Sequence, residues 1–229
     1  LDCLVECPEQ GGGLSLRLRP EPAQEHDPSR RHLLGALALG AAGAAFLRTG
    51  AQARARHALL LRPPGVEYEA AFLAACLRCG ECLKVCPTSG LQPTLLEAGL
   101  EGIWTPRLVP RLGYCDYGCN ACGQVCPSGA IPALDLESKR AWAMGLAAVD
   151  RNRCLPWAYN VPCIVCEEMC PVPDKAISLE EVTVADAQGN PVILQRPHVR
   201  QELCTGCGIC EKRCPMEGQA AIRVYRCRW

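Results

Sequence analysis

Cysteine spacing constrains this chain more than any other feature. Four groups of four cysteines recur, and each closes on Cys-Pro. The first is Cys76-x2-Cys79-x2-Cys82-x3-Cys86-Pro87, and the second is Cys115-x3-Cys119-x2-Cys122-x3-Cys126-Pro127. The third, Cys154-x8-Cys163-x2-Cys166-x3-Cys170-Pro171, has a long first step. The fourth, Cys204-x2-Cys207-x2-Cys210-x3-Cys214-Pro215, repeats the spacing of the first. Together they use sixteen of the nineteen cysteines, with Cys-Pro steps 40, 44 and 44 residues apart. Such a period marks an internal repeat.

The spacing suits a 4Fe-4S cube. Each of its four irons needs one thiolate, and three cysteines in one tight loop wrap one side of it. The remaining iron faces away and takes a ligand from elsewhere, as when the fourth cysteine of one run reaches the other cluster of a two-cluster ferredoxin. Proline after that cysteine lacks an N–H and stops the short helical turn. Disulfide pairing leaves the repeat of four unexplained. Zinc knuckles separate two C-x2-C pairs by a longer loop, whereas most of these cysteines crowd together. The C-x3-C-x2-C of the second group also matches radical S-adenosylmethionine enzymes. Those leave one iron open on a large β/α scaffold, but here Cys126-Pro127 follows at once.

Composition agrees. Phe, Trp and Tyr make only 5% of the 229 residues, so clusters must replace much of an aromatic core. The formal net charge is zero, with 24 basic and 24 acidic residues, which gives no sign of nucleic-acid binding. His26, His32, His57 and His198 all lie outside the cysteine groups, and no phosphate loop or zinc-protease helix is present. The "GGG" at 11–13 reads as a turn. An electron carrier is therefore expected rather than an enzyme.

The motifs resemble four-cluster polyferredoxins of the NapG/MauM type, associated with periplasmic nitrate reductase and methylamine dehydrogenase systems. The resemblance covers about residues 67–226 and is carried most specifically by "GYCDYGCNACGQVCPSGAI" and "CLPWAYNVPCIVC". It implies an α+β, loop-rich domain over 67–229, built of two ferredoxin-like units that hold four 4Fe-4S clusters. It also implies nesting with pseudo-twofold symmetry. In that arrangement Cys76, Cys79 and Cys82 share a cluster with Cys214, and Cys204, Cys207 and Cys210 share one with Cys86. Cys115, Cys119 and Cys122 then take Cys170, while Cys154, Cys163 and Cys166 take Cys126. Sequential pairing, first motif with second and third with fourth, is the rival. The sixteen ligands are the same either way.

Between the second and third groups the sequence predicts a short strand, a helix around 135–145 and a strand near 146–150. Between the third and fourth it predicts a β-hairpin turning at Gly189-Asn190. Arg78, Lys84, Arg153, Lys212 and Arg213 lie near the motifs, and the simplest reading makes them solvated charges that offset about −8 from four oxidised clusters. Trp157 and Tyr159 are expected to pack locally rather than to shield a cluster.

The N-terminal quarter carries a different signal. Ser29-Arg30-Arg31 precedes fifteen uncharged residues, and Gly50–Ala53 offers an A-x-A-like site. Residues 29–54 resemble a twin-arginine export signal or a membrane anchor, although Leu33 stands where Phe is commonest and Gly35 replaces Lys. Residues 1–28 contain Cys3-x3-Cys7-Pro8, half of a fifth motif, followed by the strand-like "LSLRLRP". This resembles the end of a NapH-type membrane ferredoxin. It implies an upstream membrane region, a crossing at 33–47 and clusters on both faces of the membrane. Cys3 and Cys7 alone are expected to hold no cluster, and Cys227 is expected to be a plain thiol. The resemblance places the chain on the periplasmic side of the bacterial inner membrane, exported or anchored. Its partners there would be a membrane quinol-oxidising or ferredoxin-type subunit and a periplasmic reductase or dehydrogenase. The alternative is an accessory protein that matures a partner oxidoreductase.

Overall fold

An antiparallel hairpin separates the first motif from the second, and another separates the third from the fourth. The computed structural model describes residues 30–54, 57–185 and 190–226. Strand β1 (Leu91–Pro93) pairs with β2 (Pro106–Leu108), with Gln92 opposite Arg107. Strand β3 (Gly145–Val149) leads into the third motif. The predicted hairpin follows as β4 (Ile177–Ala185) and β5 (Pro191–Val199), in register from Ile177–Val199 to Ala185–Pro191. Strand β6 (Ile222–Arg226) leaves the fourth motif and returns to pair with β3, Ala147 opposite Val224. The turn at Gly189 lies outside the described residues.

The chain separates into two units, Leu1–Gly43 and Ala44–Trp229. Helix α1 (Arg30–Arg54) covers the export-like segment, and Leu33, Leu34, Leu37 and Leu39 on it are exposed. Among the described residues no helix is long and apolar enough to cross a membrane, so the expected crossing at 33–47 finds no such helix. Cys3, Cys7, the strand-like run after them and Cys227 lie outside the described residues.

In the second unit, helix α2 (Glu69–Ala75) delivers the chain to the first motif. One-turn helices begin just before the third cysteine of each motif: α3 (Glu81–Lys84), α4 (Ala121–Gln124), α6 (Val165–Glu168) and α7 (Ile209–Arg213). Between the second and third motifs runs α5 (Leu136–Ala141). It starts at Asp135, whose carboxylate accepts the Ser138 N–H at 2.7 Å. The predicted helix is thus shorter than expected and the predicted strand before it is absent. The Ile131 N–H, which a ladder would need, donates instead to Cys126 Sγ at 3.4 Å, and Pro132 has no N–H.

The core is made of Leu61, Phe72, Leu91, Leu108, Ile131, Met144, Ile177, Ile222 and Val224, packed directly against the motif cysteines. Phe72 is its sole fully buried aromatic among the described residues, as the scarcity of aromatics requires. The segment before α2 is held by Arg62, only 5% exposed, which donates from Nη1 to Pro106 O at 2.7 Å and to Thr105 Oγ1 at 3.0 Å.

Candidate metal-cluster sites

Four cavities sit inside the cysteine motifs, and each is lined by four of the sixteen cysteines. Site I holds Cys76, Cys79, Cys82 and Cys126. Site II holds Cys86, Cys115, Cys119 and Cys122. Site III holds Cys154, Cys163, Cys166 and Cys214, and site IV holds Cys170, Cys204, Cys207 and Cys210. Apolar side chains make up much of each wall beside the cysteines: Leu83 and Ile131 in site I, Leu91 and Leu108 in site II, Val149 and Ile222 in site III, Ile177 and Val224 in site IV.

The nested pairing is therefore corrected. Cys86 joins the cysteines of the second motif and not the fourth, and Cys126 joins those of the first and not the third. Cys170 joins the fourth motif and Cys214 the third. The hairpins supply the reason. β1–β2 and β4–β5 each fold the chain back, so consecutive motifs face each other and exchange their last cysteines. The prolines mark the exchange: Pro127 lines site I, Pro87 site II, Pro215 site III and Pro171 site IV.

The local backbone is built around the sulfurs. Gly80 and Gly208 precede α3 and α7 with φ of 79° and 84°, a left-handed turn that glycine adopts without strain. After each Cys-Pro, the chain turns back on the fourth sulfur. Cys126 Sγ accepts the Ile131 N–H at 3.4 Å, and Cys170 Sγ the Ala176 N–H at 3.3 Å. Cys214 Sγ accepts the Ala221 N–H at 3.3 Å. At Cys86 the Thr88 hydroxyl lies 3.5 Å away. Cys204 Sγ also accepts the Ala147 N–H at 3.4 Å, from β3. Donors of this kind tune a cluster's potential. No side-chain motif encodes them, so the sequence alone did not reveal them.

The donor set passes a chemical test of fit. Burial, reinforced by neighbouring thiolates, pushes Cys82, Cys122, Cys154 and Cys207 up to about 11 and Cys166 to about 12. Burial also lifts Cys210 well above the ordinary range. Such thiols stay protonated and neutral by themselves, and they would become thiolate ligands there once a cationic metal centre neutralises the charge. Cys86 and Cys126 go the other way: burial raises them, but hydrogen bonds to their sulfurs outweigh it and hold both thiols below the usual value. Among the described residues no three His, Cys, Asp or Glu are grouped to hold a single metal ion. The four cysteines of each site instead share the wall of one cavity.

The basic residues named from sequence mostly stitch loops. Arg78 donates to Glu101 O at 2.7 Å, Arg153 to Gln219 O at 3.0 Å and Lys212 to Arg111 O at 3.4 Å, while Lys84 pairs with Glu81 on the surface. Trp157 packs locally, its ring 4.3 Å from the Arg151 guanidinium and 4.8 Å from that of Arg196, and Tyr159 is exposed. The charge that matters most was missed. Lys139 on α5 is 5% exposed and donates to Asp116 O, in the loop after Cys115. Burial pushes Cys115 up to about 11, with the Lys139 ammonium the largest opposing influence. In sequence Lys139 stands well away from any motif, and only the return of α5 brings it back. Lys139→Met is expected to lower the potential of the site II centre. A unit charge this close to a ligand sulfur, at an effective dielectric of ~20, shifts a one-electron potential by on the order of 100 mV. Redox titration followed by EPR checks this.

The comparisons with known proteins bear on these sites. The chain is 40% identical over 211 residues to a methylamine utilization ferredoxin-type protein MauM of Methylorubrum extorquens, covering 88% of this chain and 91% of that one. The chain belongs to the MauM/NapG family of ferredoxin-type proteins. A ferredoxin-type protein NapG of Escherichia coli is 42% identical over 167 residues, 72% of this chain and 69% of its own. The MauM of Paracoccus denitrificans is 40% identical over 185 residues, 79% of this chain and 76% of its own. The family model for the 4Fe-4S binding domain matches residues 197–217, which contain the fourth motif. No solved structure matches. The chain is thus a ferredoxin-type iron–sulfur electron-transfer subunit and not itself a catalytic enzyme.

Proposed function

We propose that sites I to IV each hold one 4Fe-4S cluster, and that the chain passes electrons from a membrane quinol-oxidising or ferredoxin-type subunit to a periplasmic reductase or dehydrogenase. One observation carries this reading: all sixteen motif cysteines gather into four similar cavities, four to each. Iron–sulfur clusters supply one-electron chemistry at such sites. The protein's own residues hold the irons, exclude water with apolar walls and set the potentials through N–H donors and Lys139. The relatives' names, which tie them to methylamine utilization and to the Nap ferredoxin-type proteins, support a partner that is a redox enzyme.

The export reading completes the proposal. Arg30-Arg31 opens helix α1, whose Leu33, Leu34, Leu37 and Leu39 are exposed, as suits a segment read by export machinery rather than by the fold. Clusters built in the cytosol would travel already folded into the protein, and on this reading the chain works on the periplasmic side of the membrane.

The test is turnover of the holo-protein. Purified with its clusters, it is expected to be reduced by a quinol-fed membrane fraction and reoxidised by its partner enzyme as fast as that enzyme turns over. Clusters that stay reduced or oxidised on that timescale would instead support the accessory, maturation role.

A further inference from the structure

We infer that the four clusters form a single line in the order I, II, IV, III, out of sequence order, with one crossing between the halves at sites II and IV. This rests on the four-cluster reading and goes beyond it. Within each half, the exchange of fourth cysteines makes neighbours of I and II, and of III and IV. What the sequence leaves open is how one half meets the other.

The crossing is built from backbone. The Cys115 N–H donates to the Cys207 carbonyl at 2.8 Å, so a ligand residue of site II bonds directly to a ligand residue of site IV. A second bond runs from the Met144 N–H to Thr205 O at 3.0 Å. Met144 lines site II and Thr205 lines site IV. Two glycines permit the approach. A Cβ on Gly206 would stand 2.4 Å from Gly145 O, and one on Gly208 would stand 2.8 Å from the Pro110 ring. Arg111 clamps the same junction, donating to Glu211 O at 3.1 Å and Cys214 O at 3.0 Å as well as to Met216 O. Arg111 itself lines neither site, so it is a positioning residue rather than part of a II-to-III route.

The order gives the line two ends. Site I, with exposed Cys79 at its rim, lies at one. Site III, with the C-x8-C insertion, lies at the other. Electrons therefore enter and leave through the first and third motifs, while the second and fourth are internal relays.

The test uses holo-protein with its iron counted, reduced fully and examined by EPR for magnetic coupling between clusters. Wild type is expected to show three neighbour couplings, one within each half and one across. Cys119→Ala, which empties the internal site II, is expected to leave about twelve irons and one coupling, between III and IV. Cys163→Ala, which empties the end site III, is expected to leave about twelve irons and two couplings, I to II and II to IV. A Cys163→Ala protein that keeps only one coupling, or a Cys119→Ala protein that keeps two, overturns the inference. If either variant loses more than its own cluster, wild type decides: two isolated pairs overturn the order, and three couplings with one of them across the halves uphold it. A wild-type protein short of about sixteen irons refutes the four-cluster reading instead, so the two failures are distinct.

Discussion

Cys86→Ala is expected to damage the cluster held by the second motif and to spare the one held by its own. Cys86 lies in the first motif, yet its sulfur lines the cavity of Cys115, Cys119 and Cys122. The centre of Cys76, Cys79 and Cys82 keeps all its ligands, because Cys126 supplies the fourth. Cys86→Ala and Cys119→Ala should therefore give the same EPR change, and the double variant should lose nothing more. Cys86→Ala with Cys207→Ala should damage two centres, about eight of sixteen irons rather than four. Under the nested pairing the result reverses, with Cys86→Ala matching Cys207→Ala. The expected loss is one cluster, about four of sixteen irons where the site empties.

The second large effect is on stability. Arg62 is nearly buried, with its Nε 3.0 Å from Glu69 Oε2 and its guanidinium 4.7 Å from the centre of the Phe72 ring. It also satisfies Thr105 Oγ1 and Pro106 O. Pro106 walls site I, and the neighbouring Pro63 and Pro64 wall site II, so this one side chain fastens both cavities to the core. Arg62→Ala takes from the half-buried Glu69 carboxylate its nearest cation, leaving only Arg226 at 4.0 Å among its ion pairs, and removes a donor from Pro106 O and Thr105 Oγ1. Breaking a buried pair from one side costs about 3–5 kcal/mol. In a domain of this size that lowers the midpoint by roughly 10 °C. Replacing both partners, Arg62→Met with Glu69→Leu, should recover part of the loss, because the Glu69 carboxylate is then not stranded while Arg226 gives up only its 4.0 Å contact with it. Loss of cluster absorbance on heating reads the midpoint. A single variant within about 2 °C of wild type would contradict the assigned role.

The sequence carried the repeat, the hairpin over 177–199 and the strand over 145–149, because these follow from spacing, alternation and turn residues along one stretch of chain. It also located the sixteen cysteines now found in four cavities. It did not carry the partner of each fourth cysteine. Cys86 and Cys126 have the same local surroundings in a nested or a sequential fold, and only the folding-back of β1–β2 decides between them. Lys139 was illegible for the same reason: its partner, the Asp116 carbonyl, is 23 residues away in sequence. The N–H donors to Cys126, Cys170, Cys204 and Cys214 are backbone groups, which every residue but proline possesses. Position, not residue type, makes them part of the site.

Iron and acid-labile sulfide per chain, measured in the wild-type protein and in two double variants, Cys86→Ala with Cys119→Ala and Cys86→Ala with Cys207→Ala, bear on four clusters and on their pairing at once. About sixteen of each is expected in wild type, about twelve in the first double variant, where both substitutions strike one centre, and about eight in the second. About eight or fewer in a fully loaded wild type, or the two double variants with their counts reversed, is the contradicting result.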